Sequence, residues 1–152
     1  SLKDEDLSAT AKEFTLRLIG LMKANPSGYV NPYGKKYFES KLDSVYAYPN
    51  HIAILIDRNS ASSAESFLLT AMQSKKVTVY GENSAGILDY DNAHFFDIPD
   101  DNFNLVIPIA RSTRLPDHPI DNIGITPTVK IDPQRKDKIR FIQEQLEQAG
   151  GR

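Results

Sequence analysis

Ile52-Ala53-Ile54-Leu55-Ile56 is an unbroken apolar run bounded by Pro49 and by Asp57-Arg58-Asn59. Such a run, closed off by turn residues, is the pattern of a strand buried on both faces, so it predicts a central, parallel strand. Within residues 61–74, Ala64, Phe67, Leu68, Ala71 and Met72 fall on one helical stripe, and Val77-Thr78-Val79-Tyr80 supplies a second strand. Strand, helix and strand in that order predict a βαβ unit with a right-handed crossover. Its functional groups then sit outside the carboxyl ends of the strands.

The flanking segments fit around that unit. Residues 8–23 place Ala11, Phe14, Leu18, Leu21 and Met22 at helical spacing, and Asn25-Pro26-Ser27-Gly28 supplies a stop. Five of the seven tyrosines lie between Tyr29 and Tyr48 with no sustained period, which predicts an ordered, irregular connection whose rings cover a core or wall a groove. His94 to Pro99 pairs with Leu105 to Ile109 in an expected hairpin turning through Pro99 to Asn104. Residues 120–132 read as a last extended segment, and Ile139, Ile142, Leu146 and Ala149 define a closing helix.

Composition narrows the chemistry. With 152 residues and 40% hydrophobic content, the chain is long enough to bury one α/β core. Its 18 Lys plus Arg against 20 Asp plus Glu give a net charge of -2, which offers no field suited to nucleic acid. No run of 18 apolar residues is present, and the acidic SLKDEDLS start does not read as a signal peptide. The absence of cysteine excludes disulfides and thiolate chemistry. His51, His94 and His118 show no metal-ligand spacing, so no metal is expected.

The informative stretch is Asn59-Ser60-Ala61-Ser62-Ser63-Ala64-Glu65, where the buried strand ends and a helix begins. Acyl transfer needs a hydroxyl displayed at such a turn and backbone N–H groups aimed at the developing oxyanion. The free amides of a helix N-terminus provide these. Ser62 meets that description, with the Ser63 amide as oxyanion donor. Ser62-Ser63-Ala64-Glu65 is equally a capping box, in which the serine caps the helix and the glutamate reaches back to its amide. A third reading makes the Ser62 and Ser63 amides an anion site, although no glycine-rich loop accompanies them.

The pattern IAILIDRNSASSAESFLLTAMQSKKVTVYGENSAG resembles the core of the carboxyl-terminal processing, or tail-specific, serine peptidases and their tricorn-like and retinoid-binding-protein-like relatives. In that family a strand is followed by Thr/Ser-x-Ser-x-x-Glu, a helix, a second strand and Gly-Glu-x-Thr-x-Gly. Here Ser60, Ala61, Ser62, Glu65, Gly81, Glu82, Ser84 and Gly86 carry the match. The resemblance implies that Ser62 is the nucleophile and Ser63 the oxyanion amide. Further on, Ile120-Asp121-Asn122-Ile123-Gly124-Ile125-Thr126-Pro127 resembles an acidic segment of the tricorn-like branch, which implies a catalytic role for Asp121. The resemblance spans roughly residues 50–132.

Its departures are informative. The serine-lysine branch carries its base in a Phe-Gly-Lys-Gly segment, and Ile87 stands where that lysine would be. Lys75 and Lys76 lie at the far end of the helix, where cations favour the macrodipole, and are not substitutes. The other branch draws a histidine base and a second oxyanion amide from an upstream segment. His51, His94 and His118 do not correspond to that base. Asp57 and Arg58 read as an ordinary ion pair, and Arg111 and Arg114 either hold a substrate carboxylate or solvate an edge.

The resemblance therefore implies an α/β fold, a mainly parallel central sheet with flanking helices and a crotonase/ClpP-like spiral core. The chain would be the C-terminal part of a peptidase catalytic domain: residues 1–28 an N-terminal helix, 49–132 the core with the nucleophile, 134–150 the closing helix. It implies a peptide or protein substrate, an upstream domain or segment as partner, no metal or organic cofactor, and export to a bacterial periplasm or cell envelope. A non-catalytic relative holding peptides or small apolar ligands in the same cleft is the alternative.

Overall fold

Three short parallel strands carry the molecule's core. Ile52–Ile56 (β1) pairs with Val77–Gly81 (β2), Ile52 opposite Val77 and Ile56 opposite Gly81, and β2 pairs in turn with Val129–Lys130 (β5). The computed structural model describes residues 8–37, 39–99 and 103–150. Ser1–Glu39 and Ser40–Arg152 form two separate units.

In the first unit, Ala9–Ala24 (α1) is the expected amphipathic helix. Ser8 caps it by accepting the Ala11 N–H at 3.2 Å, and Asn25 closes it by donating to the Leu21 and Met22 carbonyls. No residue of α1 is buried, and Phe14 meets Tyr33 with ring centroids 5.5 Å apart.

In the second unit, the helix after β1 is Ser63–Ala71 (α2), and Lys138–Gly150 (α3) closes the chain. The two helices cover opposite faces of the sheet, because side chains alternate along each strand. Ile56 and Val79 share one core with Leu68 of α2 and with Ile120 and Ile125. Tyr80 and Ile131 share the other with Ile142 of α3. Tyr90–Phe96 (β3) and Leu105–Arg111 (β4) form the expected antiparallel hairpin, with His94 opposite Ile107 and Phe96 opposite Leu105. Residues 100–102 of its expected turn, like Phe38, lie outside the described residues.

Several expectations are corrected. β1 is parallel but not central: the sheet order is β1-β2-β5, so β2 holds the middle and β1 an edge, with Leu55 39% exposed. The apolar run described a strand's burial potential, and the described residues leave half of it unused. The buried face of α2 runs through Glu65 and Leu68, whereas Phe67 is 60% exposed, because a nine-residue helix beginning at Ser63 turns Glu65 into the core. On α3, Ile142 is buried and Ile139 faces out. Residues 120–132 are extended only at Val129–Lys130; Asn122 and Gly124 take φ of 64° and 75° and turn the rest. The tyrosines from Tyr29 to Tyr48 are exposed and cover no core, since the segment between α1 and β1 is irregular backbone without a face to pack.

Candidate active site

Ser62 stands between β1 and α2 with φ 54° and ψ -111°, a left-handed conformation that a residue with a Cβ adopts only at a cost of roughly 1–3 kcal/mol. The local reason is a tight sequence of turns. Asp57 accepts the Asn59 N–H at 2.9 Å, Ser60 N–H returns to the Asp57 carbonyl, and the Ala64 N–H reaches the Ala61 carbonyl. Ser62 is exposed. Ser62 and Glu65 form a capping box: Glu65 Oε2 accepts the Ser62 N–H at 3.0 Å, and the Ser62 hydroxyl faces the Glu65 N–H in a contact that falls short of hydrogen-bond geometry. The Ser63 N–H, at the first position of α2, likewise has no acceptor among the described residues. A hydroxyl and an amide are thus displayed together at a rigid strand-to-helix turn.

Glu65 holds that turn. Its side chain is fully buried, and its two oxygens accept four hydrogen bonds. Oε1 takes the Ser84 hydroxyl at 2.6 Å and the Gly86 N–H at 2.7 Å, while Oε2 takes the Ile87 N–H at 2.9 Å and the Ser62 N–H at 3.0 Å. Burial alone pushes this carboxyl up. The bonds from Ser84, Ile87, Gly86 and Ser62 outweigh it and hold the carboxyl below its ordinary value. Ile87, at the position of the absent lysine, therefore shares one carboxylate oxygen with Ser62.

The loop that Glu65 binds is itself tied to the acidic segment. The Ser84 hydroxyl accepts the Ile125 N–H at 2.6 Å, and the Ser84 N–H donates to the Ile125 carbonyl. Gly86 and Gly124 cross at this point with φ of 76° and 75°. A Cβ on Gly86 would lie 2.7 Å from the Gly124 nitrogen, and one on Gly124 would lie 2.2 Å from the Ser84 carbonyl oxygen. Asp121 does not reach Ser62 in any described hydrogen bond: its Oδ1 accepts the Leu88 and Asp89 N–H groups at 2.6 and 2.8 Å. Asp89 answers reciprocally, its Oδ2 accepting the Ile120 and Asp121 N–H groups at 2.7 and 2.8 Å. Arg114 completes the knot with 3.1 Å to Asp89 Oδ1 and 3.0 Å to the Leu88 carbonyl. Burial raises the Asp89 carboxyl, and the two amides and the guanidinium bring it below the ordinary range.

The structure thus brings Ser62, Ser63 and Glu65 together and sets Asp121 one loop away. The knot of Asp89 and Arg114 was not expected from sequence; its only trace is an acidic residue in an otherwise apolar and small stretch, Ala85-Gly86-Ile87-Leu88-Asp89. Arg114 has a structural partner, whereas the expected Asp57–Arg58 pair is not made, because Asp57 binds its own turn at Asn59 and Ser60. None of the histidines reaches Ser62. His51 precedes β1 at the end remote from Ser62, His94 packs edge-on against Phe96, and His118 donates its N–H to the Arg114 carbonyl and accepts the Arg114 guanidinium at its own carbonyl. Lys76 donates to the Tyr46 and Ala47 carbonyls, far from the elbow in sequence. Among the described residues no group of three or more His, Asp or Glu could hold a metal ion.

A cleft of about 490 Å³ opens at the carboxyl ends of the strands, sharing Ser84 and Ala85 with the loop that Glu65 anchors; Ser62 does not line it. The Ala85 N–H donates to the Ser60 carbonyl at 2.9 Å, joining cleft and elbow.

Known proteins resemble the chain as follows. Among solved structures, one titled photosystem II D1 C-terminal processing protease aligns at 24% identity over 55% of this chain and 21% of that one, TM-score 0.41. A protein of Parabacteroides merdae assigned as a peptidase aligns at 17% identity over 61% of this chain and 28% of that one, TM-score 0.39. The chain therefore spans 21% and 28% of these proteins' lengths. No curated protein matches it. The family model of peptidase family S41 matches residues 7–131, which takes in the Ser62 elbow, the Glu65 anchor and the Asp89–Asp121 knot, and the chain belongs to that family.

Proposed function

We propose that this chain is the serine-bearing, C-terminal portion of a peptidase catalytic domain that hydrolyses peptide bonds through Ser62. The observation that carries this is the elbow itself: an exposed serine held at φ 54° and ψ -111°, its hydroxyl in no full hydrogen bond, beside a Ser63 N–H without an acceptor among the described residues. Strain of that kind persists where the surroundings over-determine it and is characteristic of displayed nucleophiles.

In this reading Ser62 Oγ attacks the scissile carbonyl carbon and the Ser63 N–H receives the developing oxyanion. The proton passes to a histidine, and a second oxyanion amide comes from the same upstream segment outside these residues, as in the tricorn-like branch. The absence of a lysine at Ile87 supports that branch over the serine-lysine one. Asp121, with Oδ1 already holding two amides, contributes by fixing Leu88 and Asp89 on the loop that Glu65 anchors. No metal takes part. The sheet continues, at the open edge of β1, into a crotonase/ClpP-like spiral, and the substrates are polypeptides processed near their C-termini in a bacterial periplasm or envelope. Among the described residues no helix is long and apolar enough to cross a membrane.

The test is peptide hydrolysis by the protein carrying its upstream segment, beside its Ser62→Ala variant. The expected loss is at least about a thousandfold in kcat/KM. Equal hydrolysis by the variant refutes the assignment, and no hydrolysis by either identifies a binding relative.

A further inference from the structure

The cleft at the carboxyl ends of the strands has a floor without a side chain. Gly81 ends the middle strand β2, between Ile56 at the end of β1 and Lys130 of β5, and a Cβ there would lie 2.0 Å from the Ile56 carbonyl oxygen. The strand on each side brings a cation to the rim. Arg58 lies two residues beyond β1, and Lys130 is the last residue of β5. Two strand spacings put the backbones of Ile56 and Lys130 about 10 Å apart, and Arg58 lies in the turn two residues past Ile56, so two long basic side chains border the same small cleft. Neither side chain makes a hydrogen bond or ion pair among the described residues. The acids of the lining are already engaged: Glu82 with Lys138 at 3.7 Å, and Asp132 with the Gln134 N–H at 2.8 Å. An open cleft of about 490 Å³, with engaged acids and unengaged cations, is suited to a carboxylate.

We infer that this cleft is an anion subsite in which Arg58 and Lys130 receive a carboxylate of the peptide. That the carboxylate belongs to a peptide rests on the proposed peptidase reading. A guanidinium offers a carboxylate two parallel donors and an ammonium adds a point charge, so the pair recognises charge and shape without enclosing a side chain. Through the Ala85–Ser60 bond, a ligand here lies on the loop that leads into the Ser62 elbow.

The experiment is an NMR titration of the ¹⁵N-labelled chain with acetylated trialanine, with the same tripeptide amidated at its C-terminus, and with an amidated tripeptide carrying a central aspartate. A carboxylate peptide is expected to bind about tenfold more tightly than the uncharged one, with shifts at residues 81–85 that fade as salt rises. The preference is expected to vanish in the Arg58→Ala/Lys130→Ala double variant, whose exposed side chains leave the fold intact. Binding by the free C-terminus alone assigns the carboxylate to a chain end, and binding by the aspartate peptide alone assigns it to an acidic side chain; either supports the subsite. Equal affinity for charged and uncharged peptides, or a preference that survives the double variant, overturns it. Because this is a binding measurement that Ser62→Ala leaves unchanged, its failure is distinct from failure of the nucleophile assignment.

Discussion

Glu65 is the residue on which the elbow depends. Each of its oxygens accepts two donors, so Glu65→Gln sets an amide N–H₂ against two of them and removes acceptors from a buried site. The expected cost is about 2–4 kcal/mol, read as a fall in the denaturant midpoint. The carboxyl is held below its ordinary value of 4.5, so its contribution is fully present above that pH and is lost as pH falls through the lowered value. Glu65→Gln should therefore flatten the acid limb of the stability profile below pH 4.5, and an unchanged limb would place the acid sensitivity elsewhere. Ser62 yields the complementary test. Ser62→Gly should be about 1 kcal/mol more stable than Ser62→Ala, because glycine relieves the strain at φ 54°. Sequence made Ser62, Ser63 and Glu65 legible, since their spacing has only a few physical uses. It did not show that the capping box closes around an exposed serine at positive φ, because that depends on a backbone angle the spacing does not encode.

At the scale of elements, the loop after β2 and the segment before β5 interlock where Gly86 and Gly124 leave no room for a Cβ. Gly86→Ala is expected to cost more than about 3 kcal/mol, combining strain at positive φ with overlap on backbone atoms that cannot swing away. A midpoint shift of under half that size would show the crossing to be looser than described. The β1–α2–β2 order was readable from apolar period alone, and the hairpin from its paired runs. The Asp89–Asp121 exchange was not, because each carboxylate binds backbone amides more than thirty residues away and leaves no periodic trace. Asp121 was singled out by family likeness, and its described bonds are positional.

Across the second unit, order should grade from sheet to hairpin. β2 lies between two strands with helices over its faces, whereas every residue of β3 is exposed. Native-state hydrogen exchange should therefore find the slowest amides in Val79 and Tyr80, and those of β3 and β4 exchanging through local opening. Uniform protection would show the hairpin covered by a partner. The edge position of β1 was hidden from the sequence, since an apolar run reports what a strand can bury and not whether a neighbour is present. The proposed reaction turns on Ser62 as its nucleophile. The most direct test is fluorophosphonate labelling of the protein with its upstream segment, followed by mass mapping of the adduct. A single adduct is expected on Ser62, absent from Ser62→Ala and present in Ser63→Ala; an adduct elsewhere, or labelling that survives Ser62→Ala, rules out Ser62 as the nucleophile.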